Sequence, residues 1–136
     1  MKVYAGLWID HKKAVIVFIA EEKEQKLVVK SNLEQIYQQA GKLHSINPYG
    51  HRDFRAEDME ERDMKGHLNN YFDNVIPHLR DAESILIFGP GETKKEFIKR
   101  IKRGNLKGRI MAVVPADKMT DGQIAAKVRA YFLKHK

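Results

Sequence analysis

The chain contains no cysteine. That excludes a disulfide framework, a cysteine nucleophile and any metal or cluster held by thiolates. No apolar run approaches the ~18 residues of a membrane span, so no membrane partner is expected. The opening Met1-Lys2-Val3-Tyr4-Ala5-Gly6 lacks the long apolar stretch of a secretory signal and reads as mature protein. There is no internal repeat and no low-complexity linker. What remains is a chain of 136 residues, 43% of them apolar. That is enough to bury a core without covalent staples, and it argues against disorder. The expectation is one soluble cytoplasmic domain spanning residues 1–136.

Acidic charge is scarce in one part of the sequence. The formal net charge is +7. Residues 94–136 carry 13 basic and 3 acidic side chains, whereas residues 53–83 carry 4 and 9. A basic C-terminal third beside an acidic middle makes a polarised molecule. Its basic side is drawn to polyanions, nucleic acid first among them. The plainer reading is a solvated basic face that aids solubility.

Short β-branched runs mark the first half. Val3 to Ile9 reads as a strand, Ala14 to Ala20 as a second, and Lys26 to Lys30 as a third, with a turn over Glu21–Gln25. The short gaps predict an antiparallel meander. Residues 38–56 lack periodicity and hold Gly41, Asn47-Pro48, Gly50, His44 and His51, which predicts a long exposed loop. From about Glu57 to Leu79, Met64, Leu68, Tyr71, Phe72, Val75 and Leu79 fall at helical spacing. Asp58, Glu60, Glu61 and Asp63 fall in its first turns, where they complement the helix dipole.

Ser84–Phe88 is a compact apolar run, predicted to be a strand buried on both faces. Gly89-Pro90-Gly91 breaks it. Thr93-Lys94-Lys95-Glu96 fits a capping box that opens a helix with Phe97, Ile98 and Ile101 inward. Ile110–Val114 reads as another buried strand. Thr120-Asp121-Gly122-Gln123 is a second capping box, opening a helix with Ile124, Val128 and Phe132 inward. The order β-β-β-α-β-α-β-α predicts an α/β fold, a mixed five-stranded ribonuclease-H-like sheet covered by helices with right-handed crossovers.

Several constellations have residue types that could carry chemistry. Gly89-Pro90-Gly91-Glu92-Thr93-Lys94 sits where backbone N–H groups cradle phosphates. It lacks the phosphate-loop pattern, and Glu92 would oppose an anion, so a tight turn with a helix start is the better reading. Asp10 ends the first strand, where a nuclease of this fold would place a metal-binding carboxylate, but such enzymes need several converging acids. Asp117 stands alone, so a turn-forming Asp10 is favoured. The six histidines show no ligand spacing, and no metal or cofactor is expected. Lys95, Lys99 and Lys102 fall at i, i+4 and i+7 on one helix face with Arg103 beside them. Lys94, Arg100, Lys107 and Arg109 extend the basic region. Such a stripe binds RNA or DNA in a salt-dependent way. No aromatic ladder interleaves with the charges, so sequence-specific reading of single strands is not supported.

The segment Ile85-Leu86-Ile87-Phe88-Gly89-Pro90-Gly91-Glu92-Thr93-Lys94-Lys95-Glu96-Phe97 resembles the strand-turn-helix of the central domain of Pelota and the archaeal and eukaryotic peptide-release factors. Gly6-Leu7-Trp8-Ile9-Asp10-His11, followed by a strand, resembles the opening of small bacterial relatives of that domain, the translational machinery proteins. The resemblance implies binding on or near the ribosome. In release factors a Gly-Gly-Gln tip after the third strand promotes hydrolysis of peptidyl-tRNA. This chain has no Gly-Gly-Gln, and its corresponding loop offers Tyr49-Gly50-His51-Arg52. Gln123 of Asp121-Gly122-Gln123 has a capping role instead. Pelota's equivalent domain also lacks the tip and binds without hydrolysing. A lone central domain would act in a homo-oligomer or with other proteins.

The leading expectation is a non-catalytic, translation-associated domain that binds the ribosome or RNA. Lys95, Lys99, Lys102, Arg103, Lys107 and Arg109 would position phosphates, and His51 and Arg52 would probe from the loop. One alternative is a metal-dependent nuclease using Asp10. Another is a protein-interaction module assembling through an exposed sheet edge, its basic face incidental.

Overall fold

A computed structural model describes residues 2–21, 23–31, 54–102, 104 and 106–134, with the side chains of 54–64 and of Lys107 outside that description. Strands β1 (Val3–Ile9), β2 (Lys13–Ala20) and β3 (Lys23–Lys30) come first. Helix α1 (Phe54–Leu79), strand β4 (Ser84–Gly89), helix α2 (Thr93–Ile101), a one-turn 3-10 helix (Lys107–Arg109), strand β5 (Ile110–Pro115) and helix α3 (Asp121–Lys134) follow. The five strands form one sheet in the order β3-β2-β1-β4-β5. β1 pairs antiparallel with β2, β2 antiparallel with β3, β1 parallel with β4, and β4 parallel with β5. This is the mixed ribonuclease-H-like sheet that the element order predicts.

Strand alternation divides the core into two layers. On one face Leu7, Ile9, Ile16, Ile85 and Ile87 pack with Tyr71, Phe72 and Val75 of α1 and Phe97 and Ile101 of α2. On the other, Trp8, Val15, Val17, Leu86 and Phe88 pack under Ile124, Val128 and Phe132 of α3. Of the stripe predicted for α2, Phe97 and Ile101 are buried and Ile98 is half-buried; Ile124, Val128 and Phe132 of α3 are buried, and so are Leu68, Tyr71, Phe72, Val75 and Leu79 of α1. Met64 lies outside the described side chains. Residues 54–56, expected at the end of the loop, are the first turn of α1. The rest of that loop lies outside the described residues.

Three local expectations are corrected. β3 begins at Lys23, not Lys26: the chain reverses at Glu21, which adopts a left-handed φ of 56°. Lys23, Glu24, Gln25 and Lys26 are exposed on an edge strand, so no apolar alternation marks them. β5 is not buried on both faces. Met111 is 50% and Val113 41% exposed, because β5 is the other edge of the sheet. Thr93 caps nothing. The cap position is Glu92, which forms no side-chain cap bond, and its carbonyl accepts the N–H groups of Lys95 and Glu96 at 3.0 and 3.1 Å. Gly91, at φ 65°, turns the chain into the helix one residue early and leaves Thr93 buried. The second box forms as predicted. Thr120 N–H donates to Gln123 Oε1 at 3.0 Å, and Gln123 N–H donates to Thr120 Oγ1 at 3.2 Å.

Candidate nucleic-acid interface

α2 buries Phe97 and Ile101 against the sheet, so residues on its opposite side face solvent. Lys95, Lys99 and Lys102 are all exposed there. Lys95 Nζ lies 3.5 Å from the Glu92 carboxylate, one helical turn back. Lys99 and Lys102 form no ion pair among the described residues. Lys94 does not belong to this face. It is only 9% exposed, and its ammonium donates to Gly91 O at 2.7 Å. One step along a helix turns a side chain by roughly 100°, so Lys94 and Lys95 cannot share a surface.

Where α2 ends, a groove of about 600 Å³ opens between α1, α2 and the 3-10 turn. Ile76, Arg80, Arg100, Ile101, Gly104, Leu106 and Arg109 line it. Two of its three guanidinium groups are pinned. Arg100 grips Asp73 of α1 through Nε and Nη2, at 3.0 and 2.8 Å. The same hydrogen bonds hold the Asp73 carboxyl below its ordinary pKa and raise that of Arg100. Arg109 Nη1 donates to Arg80 O at 2.5 Å and Ala82 O at 3.3 Å. These carbonyls follow the end of α1, where helix geometry leaves acceptors without intrahelical partners. Arg80 itself is exposed and forms no ion pair among the described residues. The partial negative charge at the ends of α1 and α2 favours cations here. That accounts for a basic groove as a structural feature, but not for the outward cations Arg80, Lys99 and Lys102.

Sequence reasoning missed Arg80. It belongs to the acidic middle segment, and only the α1–β4 crossover carries it beside Arg109. Arg103, His51 and Arg52 lie outside the described residues. Lys107 opens the 3-10 turn, with its side chain outside the description.

The far end of the sheet, where the parallel strands finish, is committed to structure. Asp10 Oδ1 accepts the N–H groups of Lys12 and Lys13, both at 2.8 Å. That is the turn role the sequence favours. Tyr71 Oη donates to Asp10 O at 3.2 Å, and burial, then the Asp10 charge, push its phenol well above the usual range. His67, one turn before Tyr71 on α1, bonds through Nε2 to Ser31 O. Ser31 Oγ in turn donates to His11 O at 2.5 Å. Trp8 Nε1 donates to Asp117 O at 3.2 Å, tying the segment after β5 to β1. Gly89 sits so close to β1 that a Cβ there would lie 2.3 Å from Ile9 O. The Gly89-Pro90-Gly91 turn is a packing device. Among the described residues, no three His, Asp or Glu side chains gather as a metal site would require. No helix among them is long and apolar enough to cross a membrane.

No protein-family model matches the chain, and no curated protein matches it. Among solved structures it is similar to the Pelota protein of Thermoplasma acidophilum, 19% identical, with a TM-score of 0.48 over 95% of this chain and 38% of that one. It is similar to the archaeal translation termination factor aRF1, 13% identical, with a TM-score of 0.44 over 98% of this chain and 39% of that one. The Archaeoglobus fulgidus Pelota is 14% identical, with a TM-score of 0.47 over 98% of this chain and 35% of that one. The chain spans less than two-fifths of the length of each.

Proposed function

We propose that this chain is a non-catalytic, translation-associated domain that binds RNA, on or near the ribosome, through the outer face of α2 and the adjoining arginine groove. One observation carries the reading. Lys99 and Lys102 on the outer face of α2, and Arg80 in the groove, are exposed without ion pairs among the described residues, and the groove's other two arginines are already oriented. Cations that hold no internal partner are free to neutralise phosphates and release counterions. Pinned guanidinium groups lose less side-chain entropy on binding a phosphate. The sequence likeness over 85–97 directs the proposal to translation. Arg103 and Lys107, which follow α2 in the sequence, and His51 and Arg52, which precede α1, are part of the same proposal as further phosphate contacts. The nuclease alternative has less support, because one oxygen of the Asp10 carboxylate is engaged by two backbone N–H groups.

Sedimentation of cell extract tests the proposal. The chain should travel with ribosomes or large RNA at low salt and leave them at high salt. Sedimentation at the position of the free protein at both salt concentrations would overturn it.

A further inference from the structure

The sheet face under α3 carries a surface of different character. Between the start of β1, the β2–β3 turn and the last turns of α3 lies a groove of about 490 Å³. Its apolar part is made by Tyr4, Ile19, Phe132 and Leu133. The rings of Tyr4 and Phe132 stack with centroids 5.0 Å apart, giving it a rigid aromatic wall. Leu133 stands at the groove's edge, 70% exposed. Nothing in the packing of α3 explains a leucine there, since Ile124, Val128 and Phe132 already bury the helix.

The rim carries charge of both signs. Lys2, Lys23 and Arg129 stand with Glu21 and Glu24 around the groove. Arg129 Nε and Glu24 Oε1 pair at 2.6 Å, which clamps α3 to β3. Lys2, Lys23 and Glu21 are exposed and form no ion pair among the described residues. With three cations and two carboxylates, the rim is of mixed sign, unlike the lysine stripe of α2.

From this arrangement we infer that the face closes onto a second copy of the same chain, with Leu133 of each copy seated in the groove of the other about a two-fold axis. Two features select that occupant. The protruding leucine and the apolar groove belong to one patch, and a two-fold contact requires such self-complementarity. A mixed-sign rim set against its own copy lets the unpaired lysines of one protomer meet Glu21 of the other. A polyanion would meet the carboxylates of Glu21 and Glu24. α3 covers the sheet face opposite α1 and α2, so the dimer leaves the lysines of α2 open.

Sedimentation equilibrium of the full chain, from low micromolar to several hundred micromolar, tests this. The parent should approach twice the monomer mass as concentration rises. Leu133→Lys keeps a good helix former at an exposed site and leaves the melting transition intact. It should raise the dimer dissociation constant by about tenfold or more. Glu21→Lys and Lys23→Glu should each weaken the dimer, and the double exchange should restore it. A parent that stays monomeric throughout would overturn the inference. So would a dimer that Leu133→Lys leaves unchanged, since the contact would then lie elsewhere.

Discussion

Asp73 on α1 and Arg100 on α2 form a two-point hydrogen-bonded ion pair, 3.0 and 2.8 Å, across the wall of the arginine groove. The pair links the two helices that cover one sheet face and fixes the direction of one guanidinium. Its pH dependence follows from the lowered Asp73 pKa, caused first by the hydrogen bond from Arg100. A carboxyl with a depressed folded-state pKa contributes stability above its unfolded value and loses it as pH falls through the folded value. Thermal melts of the parent and Asp73→Asn should therefore differ slightly at pH 7, and the gap should begin to shrink as pH falls below about 4. An equal gap at pH 7 and pH 3 would show that charge is not the source.

Gly6 on β1 lies directly under Val128 of α3. A Cβ at position 6 would fall 2.2 Å from Val128 Cγ2. Gly6→Ala should destabilise by about 1–3 kcal/mol through overpacking. Val128→Ala should cost about 2 kcal/mol through lost burial. In the double variant the two changes compensate, so its loss should fall short of the sum by about 1 kcal/mol or more. Denaturant unfolding of all four chains measures this, and additivity would contradict the packing.

The two helix starts should respond differently to alanine. Thr120→Ala removes the hydroxyl that accepts Gln123 N–H and should cost about 1 kcal/mol. Glu92 forms no side-chain cap bond, so Glu92→Ala should change stability by less than about 0.5 kcal/mol. Urea melts distinguish them, and equal losses would refute the different starts.

On β5, Val113 is paired with Ile87 of β4, yet Val113 is 41% exposed and Ile87 fully buried. Val113→Thr should be nearly neutral. Ile87→Ala should cost about 2–5 kcal/mol. A Val113→Thr loss comparable with that of Ile87→Ala would mean that the β5 edge is covered in solution.

The element order was legible because the strands are short β-branched runs and the helices carry single apolar stripes. The buried faces of α2 and α3 followed from spacing alone. What escaped depends on neighbours that spacing does not reveal. The first residues of β3 show no alternation because an edge strand has solvent beside it. The run Ile110–Val114 gives no sign that β5 lies at an edge. Thr93 fits a cap by composition, but Gly91 turns the chain early and buries it. At the candidate interface, Lys95, Lys99 and Lys102 could be read from helical periodicity. Lys94, counted by its charge in the basic region, is buried instead, because its long stem packs inward while its ammonium reaches a carbonyl. Arg80 reaches the groove only through a crossover.

The most direct test of RNA binding at this face is its salt dependence. Fluorescence anisotropy with a single-stranded RNA gives the binding constant over a range of salt, for the parent and for the triple variant Arg80→Ala, Lys99→Ala, Lys102→Ala. Each lost phosphate contact removes about 0.7 from the slope of log K against log salt, so the triple variant should flatten it by about 2. Equal slopes for the two proteins, or no binding by the parent at low salt, would contradict the account.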